Sequence, residues 1–171
     1  MELKKSLAPV INSGSKVLIL GSMPGEESLR RQQYYGFPGN QFWRLTAAVL
    51  RVPVPPDDYE LRLEMLRAGG IALWDSIQSC TRDGSLDTMI RNEKPNDIMS
   101  VISNYGKKNG GCLAAVFFNG QKAASSFKRS FGFNSLEKEN IYLEVLPSSS
   151  PAHTIKLEHK IEKWKVIADY L

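Results

Sequence analysis

Five short stretches of the sequence hold the residues best suited to chemistry. Gly21-Ser22-Met23-Pro24-Gly25 is built of residues that either turn the chain or bring backbone close to a ligand. Its glycines are spaced GxxxG, not GxGxxG, and no Gly-Lys-Ser/Thr ending follows, so it is neither a dinucleotide fingerprint nor a P-loop. Tyr34-Tyr35-Gly36-Phe37-Pro38-Gly39-Asn40-Gln41-Phe42-Trp43 gathers three flat rings in a loop, where exposed rings are costly unless they stack on something. Asn40 in this stretch suits a helix N-cap, and a cap can also carry a catalytic role. Asp75 and Asn119-Gly120 each follow an apolar run. Pro147-Ser148-Ser149-Ser150-Pro151-Ala152-His153 either leads into the last helix as an ordinary loop or offers small hydroxyls and backbone amides to a phosphate.

Other chemistries find less support. Asp75, Ser150 and His153 supply the residue types of a serine hydrolase, but no GxSxG elbow is present. The two cysteines, Cys80 and Cys112, match no ligand spacing, and only His153 and His159 stand beside them, so no metal, cofactor or disulfide framework is expected. The 22 basic and 18 acidic residues leave a net charge of +4, which is compatible with a polyanionic partner. No apolar run approaches the roughly 20 residues of a membrane span, and the polar start does not resemble a secretory signal. The expectation is a cytoplasmic protein with no membrane partner.

The elements that must position these stretches are legible from periodicity. Val17–Leu20, Ile71–Trp74, Leu113–Phe118 and Ile141–Leu146 read as buried strands. Phe42–Arg51, Tyr59–Ala68, Asp97–Asn104 and Gln121–Phe131 read as helices, the first two separated by Pro53, Pro55 and Pro56. Leu157, Ile161, Trp164, Ala168 and Leu171 recur at helical spacing and predict an amphipathic last helix. Strands alternating with helices predict an α/β fold: three layers, α/β/α, around a four-stranded, mainly parallel sheet. With 171 residues and no linker composition, residues 1–171 are expected to form a single domain. In an open parallel sheet the carboxyl ends of the strands share one edge, where ligands bind. The polar residues after all four strands should converge there.

In order and spacing, these motifs, together with Leu73-Trp74-Asp75, Gly84-Ser85-Leu86-Asp87 and Pro95-Asn96-Asp97, resemble the hypoxanthine-DNA glycosylase branch of the uracil-DNA glycosylase superfamily. The resemblance runs from about Lys16 to the last helix. It implies a four-stranded parallel sheet and a base pocket formed by Gly21, Ser22, Met23, Tyr35, Asp75 and Asn119. Tyr35 would stack on the flipped base, with Asn119 and Asp75 at its hydrogen-bonding edge. Ser148, Ser149, Ser150, Pro151 and His153 would bind the DNA. Mismatch-specific relatives carry asparagine, and the uracil-excising enzymes aspartate, where this chain has Met23. A thioether orients water poorly. In this branch the task is implied to pass to Asn40, and an asparagine at position 23 would bring back the missing amide.

The implied activity is that of a monofunctional, metal-free glycosylase, expected to act as a monomer on DNA with a damaged or mismatched base and to leave an abasic site. Excision of uracil or thymine from mismatches, and a catalytically silent nucleic-acid-binding member of the same fold, are the alternatives.

Overall fold

A computed structural model describes residues 2–171. Four strands, β2 (Val17–Gly21), β3 (Ile71–Asp75), β6 (Ala115–Asn119) and β7 (Tyr142–Leu146), form an all-parallel sheet in the order β3-β2-β6-β7. In β2, β3 and β6 the continuous apolar runs follow from burial on both faces. β7 lies at the sheet edge and is only partly buried, with Tyr142 exposed, so the buried strand expected over Ile141–Leu146 is buried only at its two ends. Side chains alternate across a strand, so Val17 and Ile19 join one apolar cluster while Leu18 and Leu20 join the other.

The first cluster is covered by α2 (Phe42–Val49), α3 (Tyr59–Ala68) and α7 (Leu157–Trp164), through Phe42, Leu45, Leu66 and Trp164. The second lies under α4 (Ile98–Tyr105), α5 (Gln121–Phe131) and α6 (Asn134–Lys138), through Ile98, Ile102, Phe127 and Leu136. Truncating a fully buried ring such as Phe117 or Phe127 to alanine would cost about 3–5 kcal/mol.

The expected helix over 42–51 stops earlier. Arg51 takes a left-handed φ of 58°, and Val52 N–H reaches back to Ala47 O at 2.8 Å, closing the helix before Pro53. The last helix changes to a 3-10 helix over Lys165–Tyr170. With three residues per turn, Ile167 follows Trp164 into the core, and Ala168, expected there, is exposed.

One part of the architecture was not foreseen. β1 (Glu2–Lys5), β4 (Ile77–Arg82) and β5 (Arg91–Pro95) form a second, antiparallel sheet in the order β1-β4-β5. The short helix α1 (Glu26–Arg31) was also unforeseen. The extra sheet sits beside the Gly21–Gly25 loop, with Met23, Ile77, Cys80 and Ile90 in a third apolar cluster.

Candidate active site

The parallel register pairs Gly21 with Asp75 and Asn119 with Leu146, so the strand ends meet at one edge as the strand order demands. Gly21 occupies the middle of this edge. A methyl group there would lie 2.5 Å from Asp75 Oδ1 and 3.1 Å from the Tyr35 hydroxyl, so only glycine lets both groups approach.

Asp75 is 3% exposed, and its Oδ2 has no hydrogen-bond partner among the described residues. Burial pushes its carboxyl up to about 8, with Asp87 adding to the rise and Arg82 opposing it. At neutral pH Asp75 is therefore mostly a neutral acid. Ser22 Oγ donates to Asp87 Oδ1 at 2.6 Å, which ties the Gly21–Gly25 loop to the turn at Asp87. Arg82, at the end of β4, is fully buried and donates to Pro24 O; its Nε and Nη1 have no partner among the described residues.

Asn119 is spent largely within the protein. Its Nδ2 donates to the Tyr35 hydroxyl at 2.9 Å and to Ser149 Oγ at 2.8 Å, and its Oδ1 accepts Ser149 N–H at 2.8 Å. One lone pair of Oδ1 remains for a ligand. Tyr35 has a left-handed φ of 51° and lays its ring on Phe42, with centroids 3.8 Å apart and planes 12° from parallel. Burial, with Asp75 nearby, raises its hydroxyl far above the ordinary tyrosine range, so it stays a neutral phenol.

Asn40 Oδ1 accepts Phe42 N–H at 2.9 Å, and its own backbone N–H donates to Phe37 O at 2.9 Å. The side chain thus performs a capping task at the start of α2, one position earlier than the residue that flanks the helix, Gln41. The amide oxygen keeps a second lone pair. Gln41 N–H donates to Ser149 O at 2.9 Å and joins this turn to the serine loop.

The serine loop is a run of hydroxyl-capped turns. Ser148 Oγ accepts Ser150 N–H at 3.1 Å and Ser150 Oγ accepts Ala152 N–H at 3.2 Å, so both hydroxyl protons remain for an anion. Pro151 is exposed and His153 half-buried, with Nδ1 unpartnered among the described residues. From behind, Trp164 Nε1 donates to Pro147 O at 2.9 Å, and the fully buried Lys160 donates to Ser150 O at 3.2 Å.

Two expected site residues lie elsewhere than their stretch implied. Met23 is 6% exposed and packs with Ile77, Cys80 and Ile90, because its apolar side chain is drawn under the second sheet. Ser149 is 1% exposed and turned onto Asn119, so it belongs to the frame of the loop and not to its outer surface. No hydrogen bond links Ser150 to His153 through their side chains, nor either to Asp75, among the described residues, which removes the hydrolase triad. Sequence reasoning missed Arg82 and Lys160. A lone cation in a polar stretch carries no local sign of burial.

A cleft of about 440 Å³ opens beside this site, between the aromatic loop, α2 and α3. Of the residues above, Tyr35, Phe37 and Asn40 line it, and Gly21, Asp75 and Asn119 do not.

Known proteins resemble this chain over nearly its whole length. Two archaeal proteins named hypoxanthine DNA glycosylase are each 34% identical to the chain. The one from Methanosarcina barkeri aligns over 94% of this chain and 95% of its own length. The one from Methanosarcina acetivorans aligns over 96% of this chain and 98% of its own length. A solution NMR structure of a candidate uracil DNA glycosylase from Methanosarcina acetivorans superposes with a TM-score of 0.80 at 33% identity, covering 98% of this chain and 97% of that one. The family model of the uracil DNA glycosylase superfamily matches residues 8–170, and with the parallel sheet and its strand-end cluster this establishes that the chain belongs to the uracil DNA glycosylase superfamily.

Proposed function

We propose that this protein is a monofunctional DNA glycosylase that hydrolyses the N-glycosidic bond of a deaminated base, hypoxanthine foremost, and leaves an abasic site. The observation that carries this reading is the meeting of Gly21, Asp75, Tyr35 and Asn119 at one strand edge, with Asn40 on one flank and the serine loop on the other. Hypoxanthine is put first because two relatives carry the name hypoxanthine DNA glycosylase.

A stacked base cannot be reached, so the nucleotide must be turned out of the duplex, at a cost of a few kcal/mol that is smaller where pairing is faulty. Tyr35, backed by Phe42, offers its other face to the extruded ring. Cleavage leaves positive charge on the sugar and negative charge on the base. Polar groups fixed at the strand edge stabilise the departing base without reorganising. Asn40 orients water toward the sugar carbon through the free lone pair of its amide oxygen, and the serine loop holds the phosphates. We infer that this hydrolysis needs no metal, since Asn40 and the strand-edge groups supply the water orientation and the charge stabilisation it requires. No helix among the described residues is long and apolar enough to cross a membrane. We place the enzyme inside the cell, as a monomer on DNA.

Duplexes containing deoxyinosine, deoxyuridine or a mismatch, incubated with the protein in chelator and then heated in alkali, test the reading. Strand breaks at deoxyinosine are expected. Tight DNA binding with no alkali-labile site would mark a binding protein instead.

A further inference from the structure

Beyond Tyr35 and Asn40, which line one part of the cleft, its walls are cationic and have no part in the chemistry above. Arg31, Arg44 and Arg62 line it, against the single carboxylate of Asp57. Arg31 is already paired, its Nε donating to Glu27 Oε1 at 2.5 Å. Arg44, on α2, is exposed, and its side chain makes no hydrogen bond or ion pair among the described residues. Arg62, on α3, donates through Nε to Pro56 O at 2.5 Å and lies over the Trp43 ring, 5.5 Å from its centroid. These contacts hold the guanidinium in place and leave its terminal nitrogens without a carboxylate.

Two unneutralised guanidiniums, one of them preorganised, face a space that also has apolar walls. Phe37 is 52% exposed and Val54 73% exposed on its rim. Cations beside exposed apolar surface suit a strand that alternates phosphates with sugars and bases. The position fits as well. The serine loop is hydrogen-bonded to the Asn40 turn through Gln41 N–H, and Asn40 of the same turn lines the cleft.

We propose that this cleft seats the phosphate backbone of the DNA next to the target nucleotide, with Arg44 and Arg62 supplying the charge. The inference rests on the DNA-substrate reading above. In it, the strand is held at two places, by the serine loop and by the arginine cleft, which meet at the Asn40–Gln41 turn. Neither arginine reads sequence, because phosphate contacts position the strand and carry no base information.

The test is the salt dependence of binding to a duplex carrying a stable abasic-site analogue, measured between about 50 and 200 mM salt, where each neutralised phosphate adds about 0.9 to the slope of log affinity against log salt. The parent must first excise deoxyinosine in the alkali assay. If it does not, the functional reading fails independently of this one. Given an active parent, Arg44→Gln should lower the slope by about one, Arg44→Lys should keep it, and Arg44→Gln with Arg62→Gln should lower it further. An Arg44→Gln protein with the parental slope, or an Arg44→Lys protein as shallow as the glutamine variant, overturns the proposal. So does saturable binding of inorganic phosphate that is lost in Arg44→Gln while the DNA slope stays unchanged, since that marks a site for a free anion. Arg44 is exposed and unbonded, so its variants fold and the result can be read.

Discussion

Asn119 and Tyr35 are joined by a 2.9 Å hydrogen bond from the Asn119 amide to the Tyr35 hydroxyl, so the end of β6 and the aromatic loop form one rigid unit. The same amide also holds Ser149, and three separate parts of the chain are thereby fixed by one side chain. Removing the phenolic oxygen leaves a buried amide proton without an acceptor, which costs about 1–3 kcal/mol. Tyr35→Phe should lower the melting temperature while keeping a ring on Phe42. If this bond sets the height of the stacking ring, single-turnover excision should fall about tenfold or more with DNA affinity little changed, as small misplacements produce. A variant with the parental rate would confine Tyr35 to packing.

Asn40 carries two tasks that can be separated. Its Oδ1 caps Phe42 N–H, so Asn40→Ala should cost roughly 1 kcal/mol of stability. If it also orients the water, single-turnover excision should fall by about 10²-fold or more in the folded protein. Thermal melting and single-turnover kinetics on the same preparation decide the matter. Loss of stability with an intact rate would leave a helix cap and nothing more.

Asp75 makes a pH prediction whose sign differs from that of an ordinary paired carboxylate. Its folded pKa of about 8 lies above the ordinary 3.8, so between those values the folded protein retains a proton that the unfolded chain has released. Stability therefore falls as pH rises from about 4 to 8, by an amount on the order of a few kcal/mol, and the effect is complete above the folded pKa. Asp75→Asn has no such proton. It should lose this part of the slope and exceed the parent in stability at pH 8, as denaturant titrations at several pH values would show. A parent and variant with parallel pH profiles would mean that Asp75 ionises normally.

Met23→Asn would be expected from the sequence alone to supply a water-orienting amide and raise uracil excision. The packing of Met23 argues for the opposite outcome. Met23 packs among Ile77, Cys80 and Ile90, and an amide placed there without partners costs about 1–3 kcal/mol. The variant should melt at a lower temperature and gain no uracil excision. A gain in that activity at unchanged stability would show that the side chain can turn toward the strand edge.

The main sheet could be read from the sequence because strands buried on both faces must be apolar throughout, as Val17–Leu20 and Leu113–Phe118 are. The second sheet could not. Glu2–Lys5 and Arg91–Pro95 are its outer strands and are mostly polar, and β4 between them mixes Ile77 and Cys80 with Gln78, Ser79 and Thr81. The four strand-end stretches were visible because parallel topology brings their carboxyl ends to one edge. Which atoms remain free within them was not. Asn119 looked available for a base, and only the fold shows its amide protons directed at Tyr35 and Ser149. The arginine cleft was invisible for a related reason: Arg44 and Arg62 lie on different helices, and only the packing of α3 beside Trp43 brings them to one opening.

The strand order β3-β2-β6-β7 also governs how the chain is made. Val17 on β2 pairs with Ile71 on one side and with Ala115 on the other. On a ribosome the first partner emerges well before the second, and at about 5–20 residues per second the interval lasts seconds. Throughout it the nascent chain presents Val17–Leu20 with one backbone edge unpaired and no β6 beside it, the kind of surface that recruits chaperones or other nascent chains. Slow translation between Asp75 and Asn119 would prolong that exposure, so the yield of folded protein should depend on codon choice in this interval more than on codon choice after Leu146.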